Sequence, residues 1–216
     1  LVGIVGRLVP IKNHILFLNM AGIFLEENPL INVKFVLVGD GELQNTLKSH
    51  AEKNGLTQHV LFCGWRRDLP DVYADLDILT LTSRNEGTPV SIIEAMAADT
   101  PVISTDAGGV QDLLGPESEV SVPEGFVVCE RGILCRKNDA TGFARGLKHL
   151  VEMDKSQKDS MVKNAKDFVD KTFSEKRLLH DMEILYLKMM THHPGKNGMP
   201  GRDRPACPTD QTEHGF

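Results

Sequence analysis

The chain has 216 residues, with 24 Lys and Arg against 30 Asp and Glu and a formal net charge of −6. That length suits one domain of ordinary to large size plus an appendage, and a mildly acidic chain without a basic cluster is a poor fit for nucleic acid or an anionic membrane held by bulk charge. The cysteines, Cys63, Cys129, Cys135 and Cys207, show neither a C-x-x-C pair nor a disulfide-like spacing and read as reduced thiols, and no run approaches the roughly 18 apolar residues of a membrane span.

Leu1 opens straight into strand-like sequence with no initiator Met and no basic leader, so the chain reads as a fragment preceded by something else. Short apolar runs then alternate with longer amphipathic stretches. Val2 to Val5 is strand-like, Asn13 to Glu27 helical, Val33 to Val38 a buried strand, Glu42 to Lys53 helical and Val60 to Cys63 a strand. A short helix follows around Asp71 to Ala74, a strand from Asp77 to Thr82, a helix from Pro89 to Ala97, a strand from Pro101 to Ser104 and a short helix from Gly109 to Leu114. Gly115 to Pro123 reads as a loop and Ile133 to Cys135 as a last strand, ahead of helices over Thr141 to Glu152, Gln157 to Asp170 and Ser174 to Met190. After Thr191 the composition turns to Pro, Gly and charge, which predicts a disordered tail over 191–216 that includes Cys207.

Continuous rather than alternating apolar strands between helices predict an α/β fold: a Rossmann-like parallel sheet sandwiched by helices. Ligands of such sheets bind outside the carboxyl ends of the strands, so the loops after Val5, Val38, Cys63, Thr82 and Ser104 carry the functional expectation. The richest of these is Ser83 to Ala95. A buried strand ends at Thr82, a polar turn follows, and a helix starts with Thr88 placed to cap it and Pro89 suited to its first position. The backbone N–H groups of Gly87, Thr88, Val90 and Ser91 then point out of the sheet edge, where a helix dipole and unpaired amides favour phosphate.

Two acids flank this expected anion site. Glu86 precedes the helix, and Glu94 lies inside it between Ile93 and Ala95, where an unpartnered carboxylate is costly. Sugar or ribose hydroxyls are natural partners for both. The structural alternative is that Glu86 caps the turn and Glu94 makes an ion pair. None of the eight histidines forms a constellation with Ser or Cys that suits a nucleophilic triad.

Glu86-x7-Glu94, set in E-G-T-P-V-S-I-I-E-A-M-A-A-D-T-P-V-I-S-T-D-A-G-G-V, resembles the signature of the family 4 glycosyltransferases, which have the two-Rossmann-domain GT-B architecture. V-G-I-V-G-R-L-V-P-I-K, F-V-L-V-G-D-G-E, V-L-F-C-G-W and D-L-D-I-L-T-L-T-S fall in the expected order, and the pattern is that of the C-terminal, donor-binding domain, here residues 1–190. The resemblance implies that Arg7 and Lys12 hold the donor diphosphate, that Glu86 meets the hydroxyls of the donor sugar and that Glu94 meets the ribose. It further implies that backbone from Gly87, Thr88, Pro89, Val90 and Ser91 borders the sugar and phosphates, with no N–H available from Pro89. The loop at Trp65-Arg66-Arg67 matches the segment bordering the base, and Gly39, in Gly39-Asp40-Gly41, the strand end beside it. Gly108-Gly109 matches a tight turn next to the donor.

By the same resemblance the intact protein is a retaining, metal-independent hexosyltransferase with no cofactor. It moves a sugar from a nucleotide diphosphate sugar, a UDP-sugar on family frequency, to a glycan, lipid-linked or other hydroxyl acceptor in polysaccharide biosynthesis. Its partners are the donor, the acceptor and an N-terminal acceptor-binding domain absent from this chain. Its expected place is the cytoplasm, including the inner face of the membrane. No H-x-x-x-H or acidic-pair motif argues for a metal. The rivals are a nucleotide-sugar epimerase or sugar-phosphate synthase of the same fold, a non-catalytic nucleotide-binding module, and a dinucleotide-dependent oxidoreductase. Against the last, Gly3-Ile4-Val5-Gly6-Arg7-Leu8 lacks G-x-G-x-x-G.

The final helical stretch carries Leu178, Leu179, Met182, Leu185, Tyr186 and Met189 at helical spacing. In the resembled family the chain end crosses back to the N-terminal domain, so part of this stripe is expected to stay uncovered here and to promote association.

Overall fold

The computed structural model describes residues 1–117 and 125–191. The chain divides into two compact units, Leu1–Ser174 and Glu175–Phe216.

The first unit is built on a seven-stranded sheet. Its strands are β1 (Val2–Val5), β2 (Phe35–Val38), β3 (Val60–Gly64), β4 (Ile78–Leu81), β5 (Val102–Thr105), β6 (Phe126–Cys129) and β7 (Gly132–Cys135), in the order β3-β2-β1-β4-β5-β7-β6. All neighbours pair in parallel except β6 with β7. The helices are α1 (His14–Glu27), α2 (Gln44–Lys53), α3 (Leu69–Asp75), α4 (Val90–Ala97), α5 (Val110–Leu114), α6 (Ala140–Glu152) and α7 (Lys155–Thr172), with a 3-10 turn at Pro10–Lys12.

Both faces of the sheet are dry, which is why its strands read as unbroken apolar runs. In β2, Phe35 and Leu37 join one cluster with Phe17 and Phe24 of α1, Leu47 of α2 and Phe143 and Leu147 of α6. Val36 and Val38 join the other, with Tyr73 of α3, Ile92 and Met96 of α4, Leu113 of α5 and Val169 of α7. Period-2 alternation sends successive side chains to opposite faces, and helices cover both.

Two expectations need correction. The run Phe126–Cys129 is a strand that the sequence reading left unassigned, and it joins β7 as an antiparallel edge through a tight hairpin at Glu130 and Arg131. Its composition is strand-like, but a two-residue return is a local device that the search for β-α alternation passes over. The second correction is at α4. Pro89, extended at φ −73° and ψ 105°, is the N-cap, Val90 is the first helical residue, and no side chain caps the end. Thr88 sits one position too early to serve. The predicted tail lies outside the described residues from 192 onward, as does the loop over 118–124.

Of the second unit, helix α8 (Glu175–Thr191) is described. Leu178, Leu185 and Met189 are 60%, 56% and 61% exposed, with Leu179, Met182 and Tyr186 exposed beside them. Among the described residues no helix is long and apolar enough to cross a membrane.

Candidate active site

The order β3-β2-β1-β4-β5 reverses direction at β1 and β4. From β1 the chain moves outward to β2 and β3, then returns to place β4 on the other side of β1. The loops that leave the carboxyl ends of β1 and β4 therefore part in opposite directions and open a crevice, the usual ligand position in an open parallel sheet.

Lys12 and Glu86 enter this crevice from its two sides. Lys12 ends the 3-10 turn after β1, and Glu86 stands in the loop after β4. Lys12 Nζ donates to Glu86 Oε1 at 2.7 Å, with the two side chains 24% and 13% exposed. Ser83 Oγ donates to the same oxygen at 2.5 Å. The turn bearing Lys12 is fastened to β4 by backbone and by hydroxyl. Arg84 N–H donates to Ile11 O at 2.9 Å, and Thr82 Oγ1 lies 3.0 Å from Lys12 O and 3.1 Å from Asn13 O. One strand later, Thr105 Oγ1 donates to Ser83 O at 2.7 Å. Thr82, Ser83 and Thr105 are all buried. These three hydroxyl residues were not singled out from sequence; the available signal was a run of Thr and Ser at the ends of two otherwise apolar strands.

Glu94 lies on the second turn of α4, half-buried. Its partner is a neutral hydroxyl rather than a cation: Tyr73 Oη donates to Glu94 Oε2 at 2.8 Å. Glu86 is thus paired to Lys12 and bonded to Ser83 across its own turn, whereas Glu94 makes no ion pair among the described residues.

The start of α4 lies between these acids. Pro89 O accepts from Ile92 N–H at 3.1 Å and from Ile93 N–H at 3.4 Å, which leaves the amides of Val90 and Ser91 without a partner among the described residues. Gly87 and Thr88 are exposed in the loop before it, and Pro89 is buried. The Gly108-Gly109 turn after β5 packs directly under this loop. A Cβ on Gly108, whose φ is 59°, would lie 2.0 Å from Glu86 O, and one on Gly109 2.1 Å from Gly87 O. Both glycines thus permit a backbone-to-backbone approach that shapes the loop.

The remaining predicted residues are placed as follows. Arg7 is exposed on the loop after β1 and makes no ion pair among the described residues. Gly39 lets the end of β2 lie against that loop, since a Cβ there would meet Gly6 O at 2.0 Å. Trp65 is 65% exposed after β3, and the Arg67 guanidinium stacks on its ring at 5.1 Å. Arg66 is engaged with the Asp68 carboxylate. His14, the first residue of α1, is buried; desolvation and then the charge of Lys12 lower its pKa to about 4, so it stays neutral beside the cation. No group of three or more metal-ligating side chains occurs among the described residues.

A family model described as "Glycosyl transferases group 1" matches residues 1–168. Among curated relatives, the UDP-Gal:alpha-D-GlcNAc-diphosphoundecaprenol alpha-1,3-galactosyltransferase of Escherichia coli is 30% identical over 189 residues, 87% of this chain and 45% of that protein. The Vi polysaccharide biosynthesis protein VipC/TviE of Salmonella typhi is 39% identical over 108 residues, 50% of this chain and 18% of that protein. The chain thus spans less than half the length of either. Of solved structures, Anabaena HepE in complex with UDP and glucose superposes with a TM-score of 0.72 at 23% identity, over 87% of this chain and 48% of that one. The C-terminal domain of the group 1 glycosyl transferase LpcC from Francisella tularensis gives 0.65 at 24% identity, over 81% of this chain and 86% of that one.

Proposed function

Because this chain belongs to the group 1 glycosyl transferases, we propose that it is the donor-binding half of a retaining, family 4 enzyme. The donor is a nucleotide diphosphate sugar, with UDP as the nucleotide. The observation that carries this reading is the meeting of Lys12 and Glu86 at 2.7 Å in the switch-point crevice, beside the open amides of Val90 and Ser91. The match to a C-terminal domain over 86% of its length supports the assignment to that half.

Cleaving a sugar–diphosphate bond builds negative charge on the departing phosphate. Arg7 and Lys12 stabilise that charge, with the amides and dipole of α4 as a third contribution. An ammonium has three donors, so Lys12 keeps two for phosphate oxygens while one holds Glu86. Glu86 accepts from donor-sugar hydroxyls and Glu94 from the ribose. Trp65 borders the base, with Arg67 rather than Arg66 stacked behind it. The charge is met by these groups, and the reading assigns no role to a divalent metal.

The acceptor is a glycan, lipid-linked or other hydroxyl, held by a second domain against which the apolar face of α8 packs. The intact enzyme acts in the cytoplasm or at the inner face of the membrane. Without that second domain the chain binds donor weakly and transfers nothing, since positioning the acceptor is a large part of such catalysis. Calorimetric titration of the chain with UDP, GDP and ADP tests the reading. UDP is expected to give the strongest heat and Lys12→Ala to remove most of it; no heat with any nucleotide sinks the proposal in favour of a non-catalytic scaffold. Turnover by the isolated chain onto any acceptor would contradict the assignment of acceptor binding to another domain.

A further inference from the structure

Tyr73 stands outside every motif discussed above, yet it is tied directly to one of the two acids. It lies on α3, 2% exposed, in the apolar cluster that contains Ile92, Ala95 and Met96 of α4. Its hydroxyl donates to Glu94 Oε2 at 2.8 Å, and its carbonyl accepts from Thr100 Oγ1 at 2.8 Å, so ring, backbone and hydroxyl are all fixed. Burial first, then the hydrogen bond and charge of Glu94, push the phenol pKa far up, which keeps the proton on Tyr73. Glu94 therefore remains an acceptor with one oxygen occupied. Its Oε1 has no hydrogen-bond partner among the described residues. Glu86 is arranged alike: Lys12 and Ser83 converge on Oε1, and Oε2 has no hydrogen-bond partner among the described residues.

We propose that Tyr73 is a positioning residue that pins one oxygen of Glu94 and so presents the other to the ribose hydroxyls of the nucleotide. The inference rests on the reading of Glu94 as the ribose acceptor. A free carboxylate samples many rotamers, and an acceptor held in one orientation loses less freedom when a hydroxyl docks. Tyr73→Phe keeps the ring and its packing but removes the hydrogen bond from Oη to Glu94 Oε2.

The test compares UDP with 2′,3′-dideoxy-UDP, which lacks both ribose hydroxyls, by calorimetry on the full chain. In the natural chain UDP binds more tightly than the dideoxy compound. Tyr73→Phe is expected to weaken UDP about tenfold and leave the dideoxy compound unchanged, so the ratio of the two affinities collapses. That ratio is insensitive to partial unfolding, because a reduced folded fraction scales both affinities equally. Tyr73→Phe weakening both ligands equally, or neither, overturns the inference. Glu94→Gln separates the two levels: it collapses the ratio if the ribose reading holds. A wild-type ratio in Glu94→Gln, or no binding of UDP by the natural chain, rejects that reading and the inference with it. A collapsed ratio in Glu94→Gln with an unchanged one in Tyr73→Phe rejects the inference alone. The double variant Tyr73→Phe/Glu94→Gln is expected to match Glu94→Gln; a further additive loss in UDP affinity counts against the mechanism.

Discussion

Lys12 and Glu86 are 74 residues apart in the chain and 2.7 Å apart in the fold. Each leaves a different strand, β1 or β4, and the two strands are neighbours because the chain doubles back at that point of the sheet. The pair is partly buried and shares Glu86 Oε1 with Ser83. Its energetic coupling is therefore expected at the upper end of the range for exposed pairs, about 1 kcal/mol, in a double-mutant cycle of Lys12→Met and Glu86→Gln. Urea unfolding of the four proteins measures it, and strictly additive effects would show that the contact is incidental.

The close approach of the Gly108 turn to the loop of Glu86 predicts a sharp contrast between two glycines. Gly108→Ala puts a Cβ 2.0 Å from Glu86 O at a φ of 59°, whereas Gly87→Ala meets nothing within 4 Å. Gly108→Ala is expected to lower stability by about 2–3 kcal/mol and Gly87→Ala by less than about 1 kcal/mol. Thermal melts of the two variants decide this; equal losses would mean that the turn relaxes freely.

His14 gives a pH dependence of known sign. Its folded pKa of about 4 lies below the ordinary imidazole value of 6.5, through burial and then through the charge of Lys12. The unfolded chain takes up a proton as pH falls through 6.5, and the folded chain resists it until about 4. Stability from this site is whole above pH 6.5 and drains away between 6.5 and 4, a window worth on the order of 3 kcal/mol. His14 Nδ1 has no hydrogen-bond partner among the described residues, so His14→Leu removes an unsatisfied atom along with the titration. Melting at pH 7.5 and 5.0 is expected to show a smaller acid loss in His14→Leu, and an unchanged loss would assign the acid sensitivity elsewhere.

Helix α8 exposes Leu178, Leu185 and Met189 at 60%, 56% and 61%. A patch of this kind drives association when nothing covers it. Light scattering is expected to show concentration-dependent self-association of the chain, abolished by Leu178→Glu/Leu185→Glu/Met189→Glu. A monomer at all concentrations would show that this surface does not self-associate.

The order and type of nearly every element was legible in the sequence, because burial on both sheet faces writes itself as unbroken apolar runs such as Phe35–Val38, and amphipathic helices write a different period. The loops able to hold a ligand followed from the same alternation. Three things did not follow. The strand Phe126–Cys129 pairs backward through a hairpin, and pairing direction is set by the chain's return path, not by composition. The cap of α4 fell on Pro89 rather than Thr88, since one residue's backbone angle decides where a helix begins.

The third concerns partners. Placement around one helix start marked Glu86 and Glu94 as residues with chemistry to do, and the family resemblance added Lys12. Only the tertiary structure decided that Glu86 answers to Lys12 and Ser83, and Glu94 to the phenol of Tyr73, a residue that no sequence motif singled out. A side chain's charge is a local property of the sequence. The group that neutralises or orients it arrives from another strand or helix, and which one arrives depends on how the sheet is wound.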